Sequence, residues 1–170
     1  MASPAKAGAV AGLVAGVVCA TIMTFMEVPA PGGVTLTLME LLSRILGTDG
    51  IAAGWVVHLL DSALMGAIFG WAMGPKVADY RSGLAMGALY GGIWWVLGVM
   101  VIGPLLVGLP AFAPLADPAL RLLAYGSLVA ALAFGVILGT VYYGLLAGEI
   151  RLQPAYPQEH LPPPSALRPV

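Results

Sequence analysis

An all-α polytopic membrane protein, with four transmembrane helices arranged as two tandem helical hairpins, is the fold class the sequence predicts. Three observations carry it. Only 9% of the residues are charged and 60% are hydrophobic, against about 25% charged in soluble domains, so the chain lacks the polar surface to coat a water-soluble particle. Four apolar stretches each reach the roughly 20 residues that cross a bilayer. The third and fourth stretches repeat the small-residue spacing of the first and second.

Span one covers about 7–28 and is expected to stop at Pro29. Its apolar run after Lys6 continues to Met26, longer than the roughly 7–15 apolar residues of a secretion signal. The bulky Val18 before Cys19 argues against a lipoprotein signal, so this segment reads as a retained span. Span two covers about 54–73 and stops before Gly74-Pro75. Span three covers about 83–103 and stops at Pro104. Span four covers about 122–147, entered through Asp117-Pro118, a capping residue followed by proline in the first turn. Helices are the expected form, because backbone polar groups in lipid must be satisfied within the segment, and no alternating short strands suggest a barrel. The four-helix domain occupies 1–150. The tail from 151 to 170 holds six prolines and reads as an extended, partner-docking segment.

With both termini cytoplasmic, Lys6, Lys76, Arg81, Arg151 and Arg168 lie inside, and Arg44 and Arg121 outside. That bias follows the positive-inside rule and sets the orientation of the spans. In the first outer loop, residues 34–46 predict a short amphipathic helix. Thr37 and Glu40 form a capping box, Glu40 and Arg44 an i,i+4 pair, and Leu36, Met39, Leu42 and Ile45 an apolar face. The apolar, proline-bearing loop 105–115 is expected to pack on the outer surface of the bundle.

A shift of 75 residues lays span one on span three. Gly8, Gly12 and Gly16 fall on Gly83, Gly87 and Gly91, Lys6 on Arg81 and Pro29 on Pro104. A shift of 69 lays Gly66 and Gly70 on Gly135 and Gly139. Residues four apart share a helix face, and small ones let two backbones approach closely in lipid. These ten glycines are the expected helix-packing residues. Two hairpins entering the membrane in the same direction imply a pseudo-two-fold axis along its normal. Chance recurrence in glycine-rich helices is the plainer alternative.

The chemistry-bearing residues are Glu27, His58 and Asp61, which form a predicted intramembrane polar cluster. Ionisable groups inside a span are costly and point to function. Their counterparts under the two shifts are Ile102, Ser127 and Ala130, so the cluster belongs to the first hairpin alone. Several readings stay open. The residues are a proton relay, a metal site of one imidazole and two carboxylates, a haem or (bacterio)chlorophyll contact at His58, or hydrogen-bonding glue between helices. No cofactor is required by the sequence. A bis-histidine haem is disfavoured, since the other histidine, His160, lies in the tail on the opposite side. Cys19, Met23 and Met26 extend the glycine stripe of span one. They suit gap filling better than a copper(I) ladder. Trp55, Trp71, Tyr80, Tyr142 and Tyr143 suit the interfacial belts better than Trp94 and Trp95, which lie deeper.

Other chemistries find no support. The net charge of −1 makes no basic patch for nucleic acid. A single cysteine forms no intramolecular disulfide. No phosphate-binding loop, paired metal ligands or nucleophile–base spacing is present, so the chain does not read as an enzyme. The run His58-x3-Ser62-x3-Gly66-x3-Gly70, then Trp94…Pro104, then Tyr125-Gly126…Gly135-x3-Gly139-x2-Tyr142, is similar to small four-helix bacterial inner-membrane families of unknown function. That resemblance implies the topology and a bacterial source, and no activity. The expected role is an accessory or structural subunit of a larger bacterial membrane complex, respiratory or photosynthetic. Its partners would then be other membrane subunits and the lipid bilayer. The alternative is a small homo-oligomeric transporter or channel with an intramembrane His/Asp site.

Overall fold

A computed structural model describes residues 3–30, 34–106 and 108–152, and the chain is mostly helical. Four of its helices are long and apolar enough to cross a membrane: Pro4–Thr24, Ile51–Ala72, Tyr80–Leu106 and Pro118–Gly148.

Helix α1, Pro4–Thr24, starts where Ser3 caps it and Pro4 takes the first position, the Lys6 amide donating to Ser3 Oγ at 3.3 Å. It ends four residues short of the expected Val28. Strand β1, Glu27–Ala30, instead pairs antiparallel with β2, Val34–Thr37, with Glu27 opposite Thr37 and Ala30 opposite Val34. The expected amphipathic helix over 34–46 is therefore strand in its first four residues. Val28, Val34, Thr35 and Thr37 are β-branched, and Pro31-Gly32-Gly33 between the strands is turn chemistry. Helical propensity loses to both.

Helix α2, Leu38–Ile45, carries the expected capping box. The Glu40 amide donates to Thr37 Oγ1 at 3.2 Å, and the Thr37 amide donates to Glu40 Oε2 at 2.9 Å. The Glu40–Arg44 pair does not form: Arg44 Nε lies 3.8 Å from Asp49 instead. The Glu40 carboxylate is already committed to its own helix start. Met39 and Ser43 are fully buried, and the Met39 backbone lies against Gly54 at the start of α3.

Helix α3, Ile51–Ala72, begins one turn earlier than expected, behind Gly50 in a left-handed conformation (φ 94°). After a 3-10 turn at Gly74–Lys76, Asp79 caps α4, Tyr80–Trp94, its Oδ1 accepting from the Ser82 amide at 2.7 Å. The chain then widens into a π-helix, Trp95–Ile102, and returns to α geometry in α5, Gly103–Leu106. Pro104 thus lies inside the third span rather than ending it. The Gly103 amide makes the last wide-turn bond, to Gly98 O, so proline enters the first turn of a new segment, where its missing N–H costs least.

The loop beyond folds back. The Phe112 amide donates to Met100 O at 2.6 Å and Ala113 and Pro114 are buried at α6, Ala113–Ala116. Asp117 caps a 3-10 turn at Pro118–Leu120, as its Pro neighbour predicts, and α7, Arg121–Leu152, follows. The expected docking of the tail from 153 onward lies outside the described residues.

α1 packs along α3, α4 along α7, and α1 also lies against α7. Both close pairs meet backbone to backbone. A Cβ on Gly8, Gly12 or Gly16 would strike Gly66, Gly70 or Ser62. One on Gly83, Gly87 or Gly91 would strike Gly139, Gly135 or Ala131. The α3 and α4 backbones hardly approach each other. Their link is the Tyr90 hydroxyl, which donates to Met65 O at 2.6 Å. Beneath it Phe69, fully buried, meets Tyr90 and Tyr142 edge-on at centroid distances of 5.3 and 5.5 Å.

Candidate functional site

The glycine contacts draw the helix pairs together at one end of the bundle: the beginnings of α1 and α4, the ends of α3 and α7. At the other end a cavity of about 350 Å³ opens between all four helices. α1 contributes Cys19, Met23 and Met26, α3 contributes His58, Asp61 and Met65, and α7 contributes Leu123, Gly126, Ala130 and Phe134. α4 and its π continuation contribute Tyr90, Trp94, Trp95, Gly98 and Val99. The volume is near the lower end of the range for small-molecule pockets, about 300–1,000 Å³, and suits one or two rings better than a tetrapyrrole at His58.

The lining is apolar with few polar atoms, and these divide into satisfied and unsatisfied sets. Trp95 Nε1 donates to Ala124 O and to Ser127 Oγ, both at 3.1 Å, and the Ser127 hydroxyl donates to Ala124 O at 2.9 Å. On the facing wall, His58 Nε2 and Ser62 Oγ are buried with no hydrogen-bond partner. They stand one turn apart on α3; Ser62 Oγ packs against Gly16 of α1, and neither atom is open to the cavity. Asp61 lies on the exposed side of α3 at the cavity rim, and no ion pair reaches it among the described residues.

His58 and Asp61 are therefore brought to one cavity. Glu27 is not: it sits exposed in β1, because α1 stops before it. Among the described residues no group of three His, Cys, Asp or Glu side chains could hold a metal ion. Cys19, Met23 and Met26 continue the glycine stripe as cavity wall, Cys19 being a buried free thiol. Of the aromatic residues expected at the belts, Tyr142 is 1% exposed and belongs to the core, whereas Trp71 is 75% exposed.

Sequence reasoning missed the far wall. Gly98 and Gly126 line the cavity, and a Cβ on either would meet nothing within 4 Å. Their neighbourhood carries a signal in retrospect: Gly126 and Ala130 make a small-residue face on α7 beside the seam. The π-helix had no readable signature, though such wide turns recur at functional sites. No protein-family model, curated protein or solved structure matches this chain.

Proposed function

We propose that this chain is a small-molecule-binding protein of the bacterial cytoplasmic membrane, acting as the binding unit of a small homo-oligomeric transporter or channel. One observation carries the reading: an apolar cavity shared by four spans, with two ionisable residues, His58 and Asp61, in its lining. Binding pockets are mostly apolar with a few polar groups, and ionisable residues inside a span point to function.

Both termini are cytoplasmic in this reading, which is supported by the five-to-two division of Lys and Arg between the two sides. The cavity then opens in the outer half of the membrane. The two hairpins are tandem copies, supported by glycine contacts that recur at shifts of 75 and 69 residues. GxxxG-type packing clamps each copy. A second reading, an accessory subunit of a larger membrane complex, is supported by how little of the described chain lies outside the four apolar helices.

The test is extraction of the full chain from its native membrane in lipid particles, followed by mass spectrometry of retained small molecules and co-purifying chains. Wild type should retain a small molecule that Gly126→Leu, which fills the cavity, loses. Identical small-molecule content in the two would overturn the binding reading. A stoichiometric partner chain with no ligand would establish the accessory one.

A further inference from the structure

We infer that the cavity takes a lipophilic ammonium, a protonated amine on one or two rings, paired to Asp61. This rests on the reading of the cavity as a ligand site and names what that ligand must be.

The first argument is charge. No Lys or Arg lines the cavity, and Asp61 is its single carboxylate. An anion, such as a fatty acid or a lipid phosphate, would find no Lys or Arg there and one carboxylate to repel it. An ionised side chain facing hydrocarbon without a partner costs several kcal/mol. A cation delivered by the ligand offsets that cost from the other side of the pair, whereas a neutral molecule leaves it in place.

The second argument is hydrogen-bonding polarity. An ammonium brings donors and no acceptor, which suits an ionised carboxylate, an acceptor only, such as Asp61 in the lining. The competing donor, Trp95 Nε1, is already spent on Ala124 O and Ser127 Oγ. The wall that meets Asp61 across the cavity is therefore short of free donors and lined with ring faces. Tyr90, Trp94 and Phe134 supply aromatic surface of the kind that attracts desolvated cations.

The third argument is shape. Gly98 on the π-helix and Gly126 on α7 leave their sides of the cavity unfilled, so the space beside the polar wall accepts an apolar body. About 350 Å³ holds a ring and a short chain.

The experiment is equilibrium binding of tritiated 4-phenylbutylamine to the full chain in zwitterionic nanodiscs, with empty discs subtracted and 4-phenylbutan-1-ol as the neutral isostere. Wild type should bind the amine saturably and the alcohol at least about tenfold more weakly. Asp61→Asn should weaken amine binding at least about tenfold, as expected for removing one partner of a charge pair, and leave the alcohol unchanged. Gly126→Leu should abolish binding of both. Gly98→Leu fills the same space from the facing helix, so agreement between the two variants separates filling from misfolding. Equal binding of amine and alcohol by wild type and Asp61→Asn, lost in both filling variants, would overturn the cation and leave the cavity reading standing. Amine binding that survives both filling variants, or no saturable amine binding at all, would also overturn it.

Discussion

The α1/α3 pair and the α4/α7 pair begin alike and end differently. Gly8 against Gly70, Gly12 against Gly66 and Gly16 against Ser62 correspond to Gly83 against Gly139, Gly87 against Gly135 and Gly91 against Ala131. Beyond that point the first pair carries His58 and Asp61, and the second carries Ser127 and Ala130 at the matching positions. Ser127 is satisfied by its own helix and by Trp95, whereas His58 Nε2 has no partner. The first pair stays in α geometry to Thr24, while the second opens into a π-helix from Trp95. Close packing tolerates little variation, so the seams remain alike. Where the backbones diverge, side chains are free to specialise, and the two pairs divide the labour into a polar wall and an aromatic one.

The largest effect should come from breaking the seams. Gly12→Leu and Gly87→Leu each drive a side chain into a neighbouring backbone, and each should cost about 3 kcal/mol or more in bundle stability, the upper end of ordinary overpacking. Thermal melting in detergent reads the loss. Gly92→Leu and Gly144→Leu, whose Cβ atoms would meet nothing within 4 Å, serve as controls. If either seam variant melts like its control, the equivalence of the two pairs fails.

A smaller change should sharpen the comparison by making the first pair more like the second. Ser62→Ala puts at that position the residue found at 131. It removes a buried hydroxyl that has no partner, so it should stabilise the unliganded protein by about 1 kcal/mol, against the usual sign of core mutations. A lower melting temperature would show that the hydroxyl is satisfied after all.

The smallest effect concerns α2, which has no counterpart in the second pair. The Thr37 amide and hydroxyl hold the Glu40 carboxyl below its ordinary value of 4.5. A depressed pKa means stabilisation present above 4.5 and lost as pH falls through the lowered value. A spin label at Leu46 should therefore gain mobility under acid, and Thr37→Ala should show the same mobility at neutral pH. A label equally mobile at all pH values would mean that the box does not anchor α2.

What the sequence made legible followed from its periodicities. Glycines four apart announced which faces could approach, and apolar runs announced the long helices, because both signals are local and repeat. Thr37-x2-Glu40 and Asp117-Pro118 were readable for the same reason: each acts within one turn. The cavity was not local. His58 and Asp61 stood out as charges in a span, but nothing in α3 alone shows that Trp94, Gly98 and Gly126 face them. Glu27 was misplaced by treating Pro29 as the stop signal, when the β-branched residues on either side of Pro31-Gly32-Gly33 end the helix earlier. Pro104 misled in the opposite sense, because a change of helix type absorbs it.

The stack of Phe69 between Tyr90 and Tyr142 bears on direction of travel. It fills the axis of the bundle immediately beyond the cavity, and its members are at most 4% exposed. In the proposed reading, a molecule held in the cavity would meet these rings across its way to the opposite side of the bundle. Onward passage requires the rings to part, and Tyr90 cannot swing away while its hydroxyl holds the Met65 carbonyl. Tyr90 thus belongs both to the ring stack and to the hydrogen bond between α3 and α4, so releasing that bond would free a member of the stack.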